Sequence, residues 1–390
     1  MVEIIGAEGV RQRNLARILR IVHLEGPVSR AALTDATGLN RSTIGDLVAE
    51  LVSAELVVEG APDPRRRVGR PSPNVAADPR VVAIAVNPEV DALEIAAVGL
   101  DRRISLRRRI EIDHLLTPDE TVRLVAEQLT RWRESELAQA HAVGLGVAVP
   151  GLVRQSDGLV RHAPHLKWTD VALREPLQDA TVLPTVVGND ASFGAHAEHL
   201  FGAARGVDDV VYLNGGASGI GGGLVVHGIP VTGAGGYAGE FGQNRPGIAA
   251  ASDRRAGVGS VLEDEVSRVR LLAALQLRSA DDPTLAATLR QSQSVDVIEE
   301  IGRQRRILAT ALANAVNVLN PSVVVLGGFL AMLAEHDPDG FADAVRSQSM
   351  PANAETLEIR SAALAEDRLL IGAAEAAFAD LLIDPASFRA

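Results

Sequence analysis

Arg65, Arg66, Arg67 and Arg70 crowd one proline-bearing stretch, Pro62-Asp63-Pro64-Arg65-Arg66-Arg67-Val68-Gly69-Arg70-Pro71. Guanidinium groups so close together can neutralise nucleic-acid phosphates or enter a minor groove, where negative potential is concentrated. Upstream, Arg41, Ser42 and Thr43 offer a forked donor and two short hydroxyls. Those side chains suit the edges of bases in a major groove.

Both sets need elements to hold them. Leu15, Ile18, Leu19 and Val22 recur at i, i+3, i+4, i+7, an apolar stripe on a first helix that Gly26-Pro27 ends. Ser29 can cap a second, short helix that stops at Gly38, and Asn40 can cap a third, where Ile44, Leu47, Val48 and Leu51 repeat the spacing. The third helix turns Arg41, Ser42 and Thr43 outward at its start. Leu56 to Gly60 reads as a strand, and a second short strand near Asn74 to Ala76 makes the arginine stretch a hairpin wing. Residues 1–78 are therefore expected to form a winged helix-turn-helix that binds double-stranded operator DNA. A plain helical subdomain and a solvated Arg/Pro linker are the competing readings. The order of three helices followed by a basic hairpin weighs against both.

A formal net charge of -12 looks wrong for a DNA binder until it is divided along the chain. Residues 1–80 hold 11 arginines and 10 carboxylates, so the other 310 residues carry 27 basic and 40 acidic side chains. DNA contact belongs to the first part and should depend steeply on salt. With 390 residues and 47% hydrophobic content, two or three domains are expected. The absence of a long apolar run and of a signal-peptide layout points to a cytoplasmic address. No cysteine is present, which excludes disulfides and thiolate-held zinc.

Beyond residue 79, strand-like runs at Val81 to Val86, Glu94 to Leu100 and Arg103 to Ile112 precede a helix from about Pro118 to Ala138. A strand from Val143 to Val149, one ending at Val187, a helix from Ala191 to about Ala204 and strands between Asp209 and Val226 follow. A later helix, about Val297 to Leu319, leads into a buried strand that ends on Gly327-Gly328. This order is α/β and fits two lobes with a cleft between them.

Four motifs stand in sequence: Gly188-Asn189-Asp190; Tyr212 through Leu224, with its glycine run; Gly235-Gly236-Tyr237-Ala238-Gly239-Glu240-Phe241-Gly242-Gln243; and Val325-Leu326-Gly327-Gly328. Together they make the chain resemble the ROK family of repressors, open reading frames and sugar kinases, over nearly its whole length. The resemblance implies an actin-like, hexokinase-like two-lobed fold in residues 79–390. It also implies a sugar site of Asn189, Asp190, Glu240, Gln243 and Glu263. Physically, Asp190 and Glu240 supply acceptors for hydroxyls and Asn189 adds a donor and an acceptor, the density a polyol requires. By resemblance Asp190 stands where the kinases keep their general base. Taken alone, it reads equally as a helix N-cap. His162, His165 and His227 read as surface or core histidines, and the glycines at 215–223 as a flexible hairpin.

Two departures from the family matter. Where kinases carry an Asp-x-Gly-Gly-Thr phosphate loop, this chain has Asn87-Pro88-Glu89-Val90-Asp91, without the glycines that let backbone amides approach a triphosphate and without an acidic partner for magnesium. No ATP-dependent phosphorylation, no catalytic residue and no cofactor are therefore expected. Gln243 stands at the family's histidine, and Ala249 to Gly257 stands where many members place a zinc-holding cysteine cluster. No metal site is expected, while Gln243 can still hydrogen-bond a hydroxyl. The expected function is a sugar-responsive transcription regulator, a repressor modulated by a sugar or sugar derivative bound between lobes, working at least as a homodimer. The alternatives are a sugar kinase fused to a DNA-binding head and a constitutive DNA-binding regulator whose sugar site has decayed.

Overall fold

A computed structural model describes residues 7–61, 72–257 and 259–388. Arg65, Arg66, Arg67 and Arg70 lie outside the described residues. The chain divides into two units: residues 1–148, 170–187 and 373–390 in the first, and residues 149–169 and 188–372 in the second.

The first unit begins with α1 (Ala7–Glu25), β1 (Val28–Ser29), α2 (Arg30–Thr37), α3 (Arg41–Ser53), β2 (Val57–Gly60) and β3 (Asn74–Ala77). Local sequence sets these limits. Gly26 takes φ +79 after α1, the Ser29 hydroxyl accepts from Ala32 N at 3.2 Å, and Gly38 closes α2 in the left-handed region. The stripe Leu15, Ile18, Leu19 and Val22 is buried with Leu33, Ile44, Leu47, Val48 and Leu51, giving the three helices one small core. β3 lies between β1 and β2 in an antiparallel three-stranded sheet, and β1 is a strand too short for periodicity to show.

Next come β4 (Val81–Pro88), β5 (Ala92–Gly99), β6 (Ile104–Glu111), α4 (Pro118–Arg133) and β7 (His141–Val149). β4 and β5 are buried along their length, whereas β6 leaves much of its surface to solvent. With β11 (Thr185–Asn189), these four strands form a five-stranded sheet of order β11-β7-β4-β5-β6. α4 ends at Arg133, short of the expected Ala138, and turns follow. Within this unit a buried polar contact closes a long span of sequence. His23 Nδ1 meets the Leu100 carbonyl at 2.6 Å and Nε2 lies 2.9 Å from Glu375.

The second unit starts with β8 (Leu152–Arg154), β9 (Leu159–Ala163) and β10 (Trp168–Ala172), a small sheet. After α5 (Arg174–Thr181) and β11, which return to the first unit, come α6 (Asp190–Phe201), β12 (Val210–Gly216), β13 (Gly219–Val226) and β14 (Ile229–Pro230). Four further helices, α7 (Leu262–Glu265), α8 (Arg268–Ala274), α9 (Asp282–Gln291) and α10 (Val295–Leu319), lead to β15 (Val323–Gly328). α11 (Phe329–Glu335), α12 (Pro338–Arg346), α13 (Pro351–Ala354) and β16 (Glu358–Ser361) follow, and α14 (Arg368–Ile383), most of which belongs to the first unit, completes the order. The sheet runs β14-β13-β12-β15-β16, with β12 and β13 an antiparallel hairpin and β12, β15 and β16 parallel. Its core joins Leu213 and Ile220 to Leu308, Leu312, Leu326 and Phe329.

The glycines of β13 serve close packing. A Cβ at Gly221 would come within 2.6 Å of the Ala191 Cβ, and one at Gly223 would collide with Ala195 Cβ. α6 can therefore lie directly on the hairpin, a role that a reading of flexibility misses. Among the described residues no helix is long and apolar enough to cross a membrane.

Candidate functional site

β11 ends and α6 begins at Asn189-Asp190, and the two residues divide the work of that junction. The Asn189 Oδ1 accepts from Ser192 N at 2.8 Å and caps the helix, while its Nδ2 donates to the Gly151 carbonyl at 3.0 Å. Asp190 is thus relieved of the cap. Its Oδ1 accepts only a neighbouring amide, Ala191 N at 2.8 Å, and a long contact from Asn189 Nδ2 at 3.3 Å.

A cavity of about 310 Å³ gathers Asn189, Asp190, Glu240, Gln243 and Glu263, the five residues expected from sequence, with Asn214 beside them. All of its lining belongs to the second unit. Glu240 and Gln243 come from a 3-10 turn at Phe241–Gln243 and the residue before it, and Glu263 from α7. Gln243 Nε2 donates to Glu263 Oε1 at 2.7 Å, and Ile220 N donates to Glu263 Oε2 at 3.1 Å. Asn214 Oδ1 accepts from Arg368 Nε at 3.2 Å.

His162 and His165 also line the cavity, and both are exposed, in keeping with their reading as surface histidines. β9 places His162, which pairs with Leu152 beside the Pro150-Gly151 turn, and His165 follows in the turn after the strand. Strands of three and five residues leave no periodic signal, so only the pairing reveals this wall.

Two of the pocket's carboxyl groups, Asp190 and Glu240, are held back from ionising. Burial, seconded by the Glu240 charge, pushes Asp190 from 3.8 to about 6, against the pull of the Ala191 amide. Burial and then the Glu263 charge raise Glu240. A carboxyl raised in this way beside other acceptors can engage hydroxyl groups or move a proton.

The segment Asn87 to Asp91 covers the end of β4 and the turn into β5. Asn87 Nδ2 donates to Glu89 at 3.0 Å, and Arg109 on β6 grips Glu89 at 2.7 Å and Asp91 at 3.2 Å. The two acidic side chains are held by a neighbouring strand. At the start of α3, Asn40 Oδ1 accepts from Thr43 N at 2.9 Å and from the Ser42 hydroxyl at 2.7 Å. Arg41 and Ser42 are exposed and Thr43 is half-buried. The Ser42 hydroxyl therefore carries a capping bond besides whatever it offers outward.

Two five-stranded sheets, each with helices, and an acceptor-lined pocket beside a strand-to-helix junction define the actin-like α/β class. The ROK family pattern matches residues 83–379, and the chain belongs to that family. It is 26% identical over 329 residues to the xylose repressor of Bacillus subtilis, covering 81% of this chain and 82% of that one. The glucokinase of Thermotoga maritima is 28% identical over 317 residues, 76% of this chain and 97% of its own. A solved ROK family transcriptional regulator, homolog of E. coli MLC protein, superposes with a TM-score of 0.74 at 24% identity, covering 96% of this chain and 98% of that one. The last likeness is one of fold.

Proposed function

We propose that this chain is a sugar-responsive transcription regulator, a repressor in which residues 1–78 form a winged helix-turn-helix and residues 79–390 the sugar-sensing part. The observation that carries the sensor is the convergence of Asp190, Glu240, Gln243 and Glu263 on one cavity large enough for a sugar. The head rests on α2 and α3, joined by a turn at Gly38, and on a small antiparallel sheet. In this reading Arg41, Ser42 and Thr43 meet base edges while Arg65, Arg66, Arg67 and Arg70 meet phosphates and the minor groove.

The name of the Bacillus relative supports repression, and the near-complete span of the regulator structure supports a chain with a head. A homodimer presenting two heads fits a pseudo-palindromic operator. A coupling of about 1–3 kcal/mol between sugar and DNA would change operator affinity roughly 5- to 150-fold. Footprinting on the chain's own upstream DNA, with and without a panel of pentoses, hexoses and their phosphates, tests the reading. Protection that one sugar shifts at least fivefold is expected. Protection indifferent to every sugar would leave a constitutive DNA binder.

Asp190, poised near pH 6, and the glucokinase relative favour a second reading, a kinase joined to a head. The Asn87 to Asp91 turn opposes it. It offers no glycine for phosphates, and Glu89 and Asp91, paired with Arg109, supply acceptors where a triphosphate needs donors. We therefore read the chain as non-enzymatic and its cavity as a sensor without metal or cofactor. ATP turnover with any hexose in a coupled assay would reverse that choice.

A further inference from the structure

α7 is a single turn of four residues, Leu262–Glu265, and a turn that short does not hold itself in water. Yet it carries Glu263, whose carboxylate must stay in register with Gln243 and Ile220 on the cavity wall. The holding groups come from the other end of the same turn. Glu265 is fully buried, and its carboxylate accepts from Arg255 N at 3.0 Å, Ala256 N at 3.1 Å, the Ser260 hydroxyl at 3.2 Å and Arg303 Nη1 at 3.0 Å.

Arg303, on α10, is equally buried and uses every donor it has. Nε donates to Glu300 Oε2 at 2.8 Å, and Nη1 to the Asp253 carbonyl at 2.8 Å as well as to Glu265. Nη2 donates to the Glu265 carbonyl at 2.7 Å and to Glu300 Oε1 at 2.7 Å. Five donors meet five acceptors, the full capacity of a guanidinium. Next to it, Gln304 exchanges bonds with Ser267, accepting at 3.0 Å and donating at 3.1 Å. Burial alone would raise the Glu265 carboxyl, but the two amides and the Arg303 guanidinium hold it below its ordinary value. The cluster is thus ionic and complete.

We infer that Arg303 is a positioning residue for the sugar pocket: through Glu265 it locks α7 and thereby aims Glu263 at the ligand. The inference rests on the sugar-site reading above and assigns a function to a side chain that does not line the cavity. The lock depends on a planar fork that spans Asp253, Glu265 and Glu300 together. A lysine ammonium keeps the charge but radiates its donors from one point. Graded effects should follow.

The test compares the full-length chain with Arg303→Lys and Arg303→Met. Residue-resolved amide exchange without sugar reads Ile220, whose N–H donates to Glu263, against Tyr212 and Val324 in the buried sheet as controls. Calorimetric titration with D-glucose and D-xylose reads the pocket. We expect Ile220 to exchange at least tenfold faster in the Met variant with the controls unchanged, and less so in the Lys variant. The affinity of whichever sugar binds the parent should fall at least tenfold in Met and partly recover in Lys. Unchanged Ile220 exchange, or unchanged sugar affinity, overturns the inference. If the parent binds neither sugar, the sugar reading fails for these probes and Ile220 alone decides the positioning claim. If the controls lose protection in the Met variant, the same two readouts on the Lys variant decide it.

Discussion

At the scale of single residues, Asp190 and Asn189 show what sequence can and cannot separate. A strand-ending Gly188-Asn189-Asp190 announces a helix start, and either polar residue is a competent cap. The geometry gives the cap to Asn189, which leaves Asp190 in the pocket with its carboxyl pushed up to about 6, by burial first and the Glu240 charge second. No spacing rule predicts that division, because it depends on which of two adjacent side chains faces Ser192 N. A stability signature follows. A carboxyl raised in the folded state contributes most below its unfolded value near 3.8, and the contribution is lost as pH rises through 6. Asp190→Asn should therefore be more stable than the parent at pH 7.5, on the order of 1–2 kcal/mol in urea denaturation, with the gap closing toward pH 4. The same variant should lose the thermal shift that sugars produce. A variant that is no more stable at pH 7.5, or that keeps its full sugar shift, would detach Asp190 from the pocket's electrostatics or its binding.

At the scale of elements, legibility follows length and capping chemistry. α1, α2 and α3 could be bounded from Gly26, Ser29, Gly38 and Asn40 because each such residue performs a local backbone task. β4, β5 and β15 were visible as apolar runs, since buried strands need apolar residues throughout. β8, β9 and β10 were not, and with them went the His162 and His165 wall. The glycine run is legible in the sequence but its purpose is not, because close approach by α6 is a tertiary fact. Gly223→Val tests that purpose. Its branched side chain would strike Ala195 and lift α6, whose first residue is Asp190. A loss of about 1–3 kcal/mol in denaturant unfolding and a weakened sugar response are expected together. Gly60→Ala is the control, since a Cβ there would meet nothing within 4 Å and the residue does not line the cavity. If both variants behave like the parent, the glycines are only a flexible hairpin.

At the scale of the whole molecule, charge is what separates the two tasks. The first 80 residues are nearly neutral and rich in arginine, while the remaining 310 hold 40 carboxylates against 27 basic groups. An acidic body repels a polyanion, so in the proposed regulator phosphate contact falls to residues 1–78, and each phosphate neutralised there would release condensed counterions. The observed binding constant should therefore fall linearly with salt on logarithmic axes, with a slope of about 0.9 per phosphate contacted. Arg70 supplies a test that separates wing from linker. If it pairs with one phosphate, Arg70→Ala should weaken binding to operator and to unrelated DNA alike and reduce the slope by about 1. Arg41→Ala should instead relax discrimination between operator and unrelated DNA, because a base contact carries sequence and a phosphate contact does not. Fluorescence anisotropy over a range of salt concentrations measures both. An unchanged slope for Arg70→Ala would return the arginine stretch to a solvated linker, leaving α3 to carry recognition alone. An unchanged slope together with unchanged discrimination in Arg41→Ala would take DNA binding away from the head altogether.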